Sequence, residues 1–120
     1  IAVRIDSPDF SLFAGGDMEP LTQAIIAPEL TRVDIYKVSH HGSAYQDEGF
    51  TRALDPQLAL ISVGAENSYG HPAASTLALL RQVGAKVLRT DTDGAIAVRA
   101  RRHRLQVKTS KNRFTFLRWE

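Results

Sequence analysis

The chain is predicted to be an α/β protein with a mixed β-sheet, two to four helices and a C-terminal antiparallel meander. Three observations carry this. The apolar runs at residues 1–5, 10–14, 33–38 and 58–63 have the length and composition of strands. Segments with helical spacing lie between the later runs, and strand, helix, strand, helix implies parallel crossovers with helices on at least one face of the sheet. Beyond Gly84 the pattern changes to short, closely spaced strands.

Residues 1–5 and 10–14 flank Asp6-Ser7-Pro8-Asp9, residue types that fit a tight turn, so the two runs are expected to pair as neighbours. Residues 19–27 place Leu21, Ile25 and Ile26 at helical spacing and stop near Pro28. The strand 33–38 follows, then a helix over 47–54, a strand of buried-type residues over 58–63, and a helix over 73–83 with Leu77, Leu79, Leu80 and Val83, closed by Gly84. Residues 86–89, 95–101, 104–108 and 113–119 form the expected meander, with 90–94 as its first turn.

At 120 residues the chain has room for one domain, 1–120. The absence of cysteine excludes a disulfide framework and a thiolate zinc site, so a metal would be held by imidazole and carboxylate. No run approaches the roughly 18 apolar residues of a membrane span, and no charged-then-apolar signal pattern occurs in these residues. A soluble segment without membrane contact of its own is expected. It opens in a strand without an initiator methionine, as a piece of a longer protein would.

Charge is unevenly distributed. Residues 1–80 hold four Lys/Arg and ten Asp/Glu, whereas residues 81–120 hold eleven and three. The basic β-rich segment 95–120, with Arg99, Arg101, Arg102 and Arg104 and the interleaved rings of Phe114, Phe116 and Trp119, suits nucleic acid. It equally suits a solvated sheet face protected from aggregation by charge.

The most informative pair is His40-His41, at the end of the run 33–38 and followed by Gly42 and Ser43. Gly15-Gly16-Asp17 ends the run 10–14, and Gly70-His71-Pro72 follows 58–63. Ligands bind at the C-terminal ends of parallel strands, so three strand ends carrying carboxylate or imidazole outline a hydrolytic metal site. Taken singly, each histidine is more often a surface or structural residue, and it is their joint placement that points to function. Asp91, Asp93 and Gly94 share part of a calcium-loop pattern but fit a turn better. Ser43 lacks the Gly-x-Ser-x-Gly elbow of a nucleophile and suits a helix cap or a phosphate contact.

The blocks Ala14-Gly15-Gly16-Asp17-Met18-Glu19, Val33 through Val38 with Ser39-His40-His41-Gly42-Ser43, Ile61 through Glu66 with Asn67-Ser68-Tyr69-Gly70-His71-Pro72, and Arg89-Thr90-Asp91-Thr92-Asp93-Gly94-Ala95-Ile96 resemble, in order and spacing, the C-terminal part of the metallo-β-lactamase-like domain of the ComEC competence family. The resemblance covers the chain to about residue 100. It implies half of an αββα sandwich in a polytopic inner-membrane channel for DNA uptake, with the domain on the extracytoplasmic side. The implied activity is a metal-dependent nuclease that degrades the strand not imported. Asp17 would bridge two metal ions, manganese or zinc, and one of His40 and His41 would be a terminal ligand. His71 would be a further ligand or an acid at the phosphate, with His41 and His71 as the catalytic pair. Gly42, Ser43, Asn67 and Tyr69 would line the substrate. The family's principal ligand motif, His-x-(His or Asp)-x-Asp-His, does not occur here, so the expected site is incomplete and the isolated chain inactive. Half a sandwich would also leave an apolar sheet face open for self-association. The alternative is a non-catalytic DNA-binding or structural module of the uptake channel.

Overall fold

The computed structural model describes residues 1–111 and the backbone of Thr115–Phe116. The expected strand 113–119, with Phe114 and Trp119, otherwise lies outside the described residues. The chain is α/β with two sheets and four α-helices among those residues. The larger sheet has the order β1 (Val3–Asp6), β2 (Ser11–Ala14), β3 (Ile35–Lys37), β4 (Leu58–Ile61), β5 (Lys86–Arg89). β1 is antiparallel to β2, as the hairpin reading expects, and every later neighbour is parallel.

Helices α1 (Pro20–Ile26), α2 (Glu48–Leu54) and α3 (Ala74–Gln82) make the crossovers. One face of the sheet packs Phe13, Tyr36 and Ile61 against Phe50, Leu54 and Leu80 of the helices. Phe13, Tyr36 and Phe50 meet with tilted or edge-on rings, Phe13 and Phe50 at 5.5 Å between centroids, a favoured aromatic geometry. Asp47 starts α2 by accepting a hydrogen bond from the Phe50 amide at 2.8 Å. Ser43 is therefore not the cap; its hydroxyl is buried without a hydrogen-bond partner.

The opposite face is covered. β6 (Ile96–Arg101) and β7 (Arg104–Thr109) form an antiparallel hairpin, joined by β8 (Thr115–Phe116). Leu105 and Val107 pack on Ile35, Leu58 and Leu88 of the larger sheet. The bare face expected of half a sandwich is thus filled by the chain's own second sheet, giving layers of helix, sheet and sheet.

Three local expectations are corrected. β5 is not the first strand of the meander: the crossover through α3 returns it beside β4, where Val87 and Leu88 face the two cores. Residues 90–94 form a helical turn, α4 (Thr90–Asp93), rather than a simple turn. There Asp93 accepts the Arg89 amide, and Asp91 is bound by the Arg89 guanidinium at 2.9 and 2.6 Å, which holds its carboxyl below the usual range. In α1, Leu21 and Ile25 are exposed, 75% and 67%, while Gln23 is fully buried. Its carboxamide donates to Met18 O and Gln46 Oε1 and accepts from the Asp47 amide, so hydrogen bonding to the next loop sets the rotation of this short helix.

Candidate functional site

The loops after β2, β3 and β4 leave the same edge of the sheet and are bound to one another. Gly15 N donates to Lys37 O at 3.0 Å, and His40 N donates to Gly16 O at 2.8 Å, joining the first loop to the second. Ala73 N donates to Gly42 O at 2.8 Å and Thr76 Oγ1 to Ser43 O at 2.6 Å, joining the second to the third. A Cβ on Gly15 would lie 2.0 Å from Ser39 Oγ, so the first two loops approach within a distance that only glycine allows.

His40 and His41 both occupy the left-handed region, with φ of 52° and 54°. Two successive non-glycine residues there are costly and require a surrounding structure that holds them, a pattern concentrated at functional sites. The holding contacts are visible at the rings. His41 Nδ1 donates to Ser62 O at 2.7 Å. His40 Nδ1 lies 3.1 Å from Glu19 Oε1, just before α1. Each Nε2 has no partner among the described residues. A histidine whose Nδ1 is fixed by a carbonyl, as in His41, presents its Nε2 lone pair in a set direction, the arrangement that supports metal ligation.

The ring of His71 is 6.2 Å from that of His40 and stacks on Tyr69 at 5.9 Å, so the third loop brings an imidazole toward the pair. Pro72 does not open the helix, as α3 starts at Ala74 with Ala73 as its cap; Pro72 packs against Gly42 instead. Asn67 donates to Gly64 O and His71 O and accepts from the His71 amide, which makes it a brace of the loop. Tyr69 is exposed. Asp17 is exposed beside Lys37, whose ammonium is pulled below the usual lysine range by burial, with the Asp17 carboxylate opposing that shift.

Zinc and manganese accept imidazole and carboxylate, so the donor chemistry of Asp17, His40, His41 and His71 fits either ion. Among the described residues no three His, Asp or Glu side chains form a cation-binding group by themselves. Lys37 and Glu19 belong to the rim although no sequence motif singles them out. A lysine at the last position of an apolar strand and an acid two residues after Gly-Asp are the only local signals for them.

The chain is 44% identical over 69 residues to ComE operon protein 3 of Bacillus subtilis, covering 57% of this chain and 9% of that protein. It is 27% identical over 114 residues to Recombination protein 2 of Haemophilus influenzae, 94% of this chain and 14% of that protein, and 40% identical over 60 residues to Competence protein ComA of Neisseria gonorrhoeae, 49% and 9%. The chain is similar to short segments of competence-related proteins. No family model matches it. It spans only 9–14% of these relatives' lengths. No helix among the described residues is long and apolar enough to cross a membrane.

The arginines are separate from the rim. Arg102 forms, with His103, the two-residue turn between β6 and β7, both at positive φ. His103, which no motif marks, donates from Nδ1 to the buried Asp34 carboxylate at 2.6 Å.

Gly42 gives a direct check of the rim. Its φ is 76°, and an added Cβ would meet Pro72 Cβ at 2.8 Å. Gly42→Ala is expected to destabilise the chain by about 2 kcal/mol, from left-handed strain and the clash together. The unfolding midpoint in denaturant measures it, and an unchanged midpoint would show that the second and third loops are not packed as described.

Proposed function

We propose that the chain is the C-terminal part of a metal-dependent phosphodiesterase domain, metallo-β-lactamase-like, in a membrane-anchored DNA-uptake protein of the ComEC kind, acting on the extracytoplasmic side. The observation that carries this is the His40-His41 pair on left-handed backbone, with His41 Nδ1 bonded to Ser62 O, His40 Nδ1 near the Glu19 carboxylate, and each Nε2 without a partner among the described residues. The competence-related relatives agree with the setting. Asp17 and one or both of the paired histidines would hold the ions, with further ligands from outside this chain, which leaves His71 free to act as the acid. Bound divalent metal would supply hydroxide at neutral pH and charge stabilisation for the phosphodiester.

The chain's own residues have distinct tasks. Ser62 O and Glu19 orient the imidazoles, and Gly15 and Gly42 let the loops close on each other. Lys37 places a cation beside Asp17 where a phosphate oxygen would arrive. His71, stacked on Tyr69, is positioned to donate a proton to the leaving oxygen. The test is cleavage of single-stranded DNA by the complete domain with manganese, with zinc and with chelator. Activity should require the metal, and His71→Ala should reduce it more than about tenfold. DNA binding without metal-dependent cleavage would favour a non-catalytic module.

A further inference from the structure

The β6–β7 hairpin turns its apolar side toward the larger sheet and its cations away from it. Val98, Ala100, Leu105 and Val107 face inward, so Arg99, Arg101 and Arg104 share the outer face. Register places Arg101 directly opposite Arg104, and Arg99 opposite Gln106. Like charges directly across an antiparallel pair repel, and none of these three arginines forms an ion pair with a carboxylate among the described residues. With Arg102 and Gln106 they line an open cavity of about 450 Å³. Guanidinium groups gathered in a concavity without balancing acid fit a phosphate chain, which they bind as planar forks.

Position gives this patch its meaning. The Arg102–His103 turn is fastened by Arg102 N to Asp9 Oδ1 at 3.0 Å, by His103 N to Asp9 O at 2.7 Å, and by His103 to Asp34. Asp9 precedes β2 and Asp34 precedes β3, whereas Asp17 and the histidine pair follow the other ends of those strands. The patch and the rim are thus separated by at least a strand length, on the order of 10 Å at roughly 3.3 Å per residue.

We infer that the arginine cradle is a second nucleic-acid site, gripping the sugar-phosphate backbone at the end of the sheet opposite the histidine rim. The inference rests on the reading that DNA is the substrate, and it adds an anchoring contact outside the reacting centre. Because its contacts are cationic and directed at phosphate, it holds a strand without regard to sequence.

Fluorescence anisotropy of the full chain with a labelled oligothymidylate, across a salt series, tests this. The double variant Arg101→Gln/Arg104→Gln should weaken binding at low salt by about fivefold or more, and flatten the log-log salt dependence by about 1.4, roughly 0.7 for each phosphate that is no longer neutralised. Arg52→Gln/Arg81→Gln removes the same charge from the helix layer and should leave affinity and slope unchanged. Matching unfolding midpoints would show that both variants fold. Equal losses in the two variants, or full binding by the cradle variant, would overturn the cradle while leaving DNA as substrate. Absence of binding by the wild-type chain would also overturn it, and the metal-dependent cleavage assay of the complete domain decides the substrate reading separately.

Discussion

Alanine in place of His41 is expected to lower phosphodiester cleavage by the complete domain by about a hundredfold or more, the range for removal of a positioned catalytic group. The expectation follows from how the ring is held. Donation of Nδ1–H to Ser62 O fixes one tautomer, and the left-handed backbone at φ 54° turns the side chain to where that bond forms. Such backbone persists only where its surroundings compensate for it. Glu19→Gln provides a graded comparison, because it keeps an oxygen acceptor beside His40 Nδ1 but removes the charge. Loss of an outer-shell partner of this kind costs about 10- to 100-fold in metal affinity. Cobalt(II) titration followed by visible absorption reads ligand geometry without turnover. Full cleavage by His41→Ala would remove His41 from the site, and unchanged cobalt affinity in Glu19→Gln would reduce Glu19 to a surface partner.

Much of this rim was legible in the sequence because its signals are local. An apolar strand ending in Gly-Asp or His-His-Gly places polar groups at a sheet edge whatever the rest of the chain does, and β2, β3 and β4 end there as expected. What escaped was set by contacts distant in sequence. Leu21 and Ile25 have helical spacing, yet the hydrogen bonds of Gln23 to the segment before α2 decide which face of α1 turns inward. β5 carries the same residue types as a meander strand, and only the crossover through α3 assigns it to the parallel sheet. The expected apolar face is covered because the alternation of β6 and β7, which marks arginines on one side, also supplies Leu105 and Val107 on the other. His103 has no motif around it; its meaning depends on Asp34, 69 residues away.

That pairing yields the largest expected effect on stability. Asp34, 6% exposed, accepts from the Ser11 amide at 2.8 Å and its hydroxyl at 3.2 Å, from Gln57 Nε2 at 2.9 Å and from His103 Nδ1 at 2.6 Å. One carboxylate therefore joins the starts of β2, β3 and β4 to the tip of the second sheet. Asp34→Ala leaves the Ser11 amide and the Gln57 carboxamide without their acceptor in a buried position, at about 1–3 kcal/mol for each such donor. The His103 contribution is smaller, since that side chain is half exposed and water replaces its partner. A net loss of about 3 kcal/mol follows, read as a lower unfolding midpoint in denaturant with an unchanged slope. Asp34→Asn keeps the shape and one acceptor oxygen and should lose about half as much, while His103→Ala should lose about 1 kcal/mol or less, because Asp9 still holds the turn backbone. Because the same carboxylate fastens the hairpin that carries Arg99, Arg101 and Arg104, Asp34→Ala should also weaken oligothymidylate binding under conditions where the chain remains folded. A midpoint that does not move would mean that solvent satisfies the Ser11 and Gln57 donors and that the second sheet is held by its apolar contacts alone.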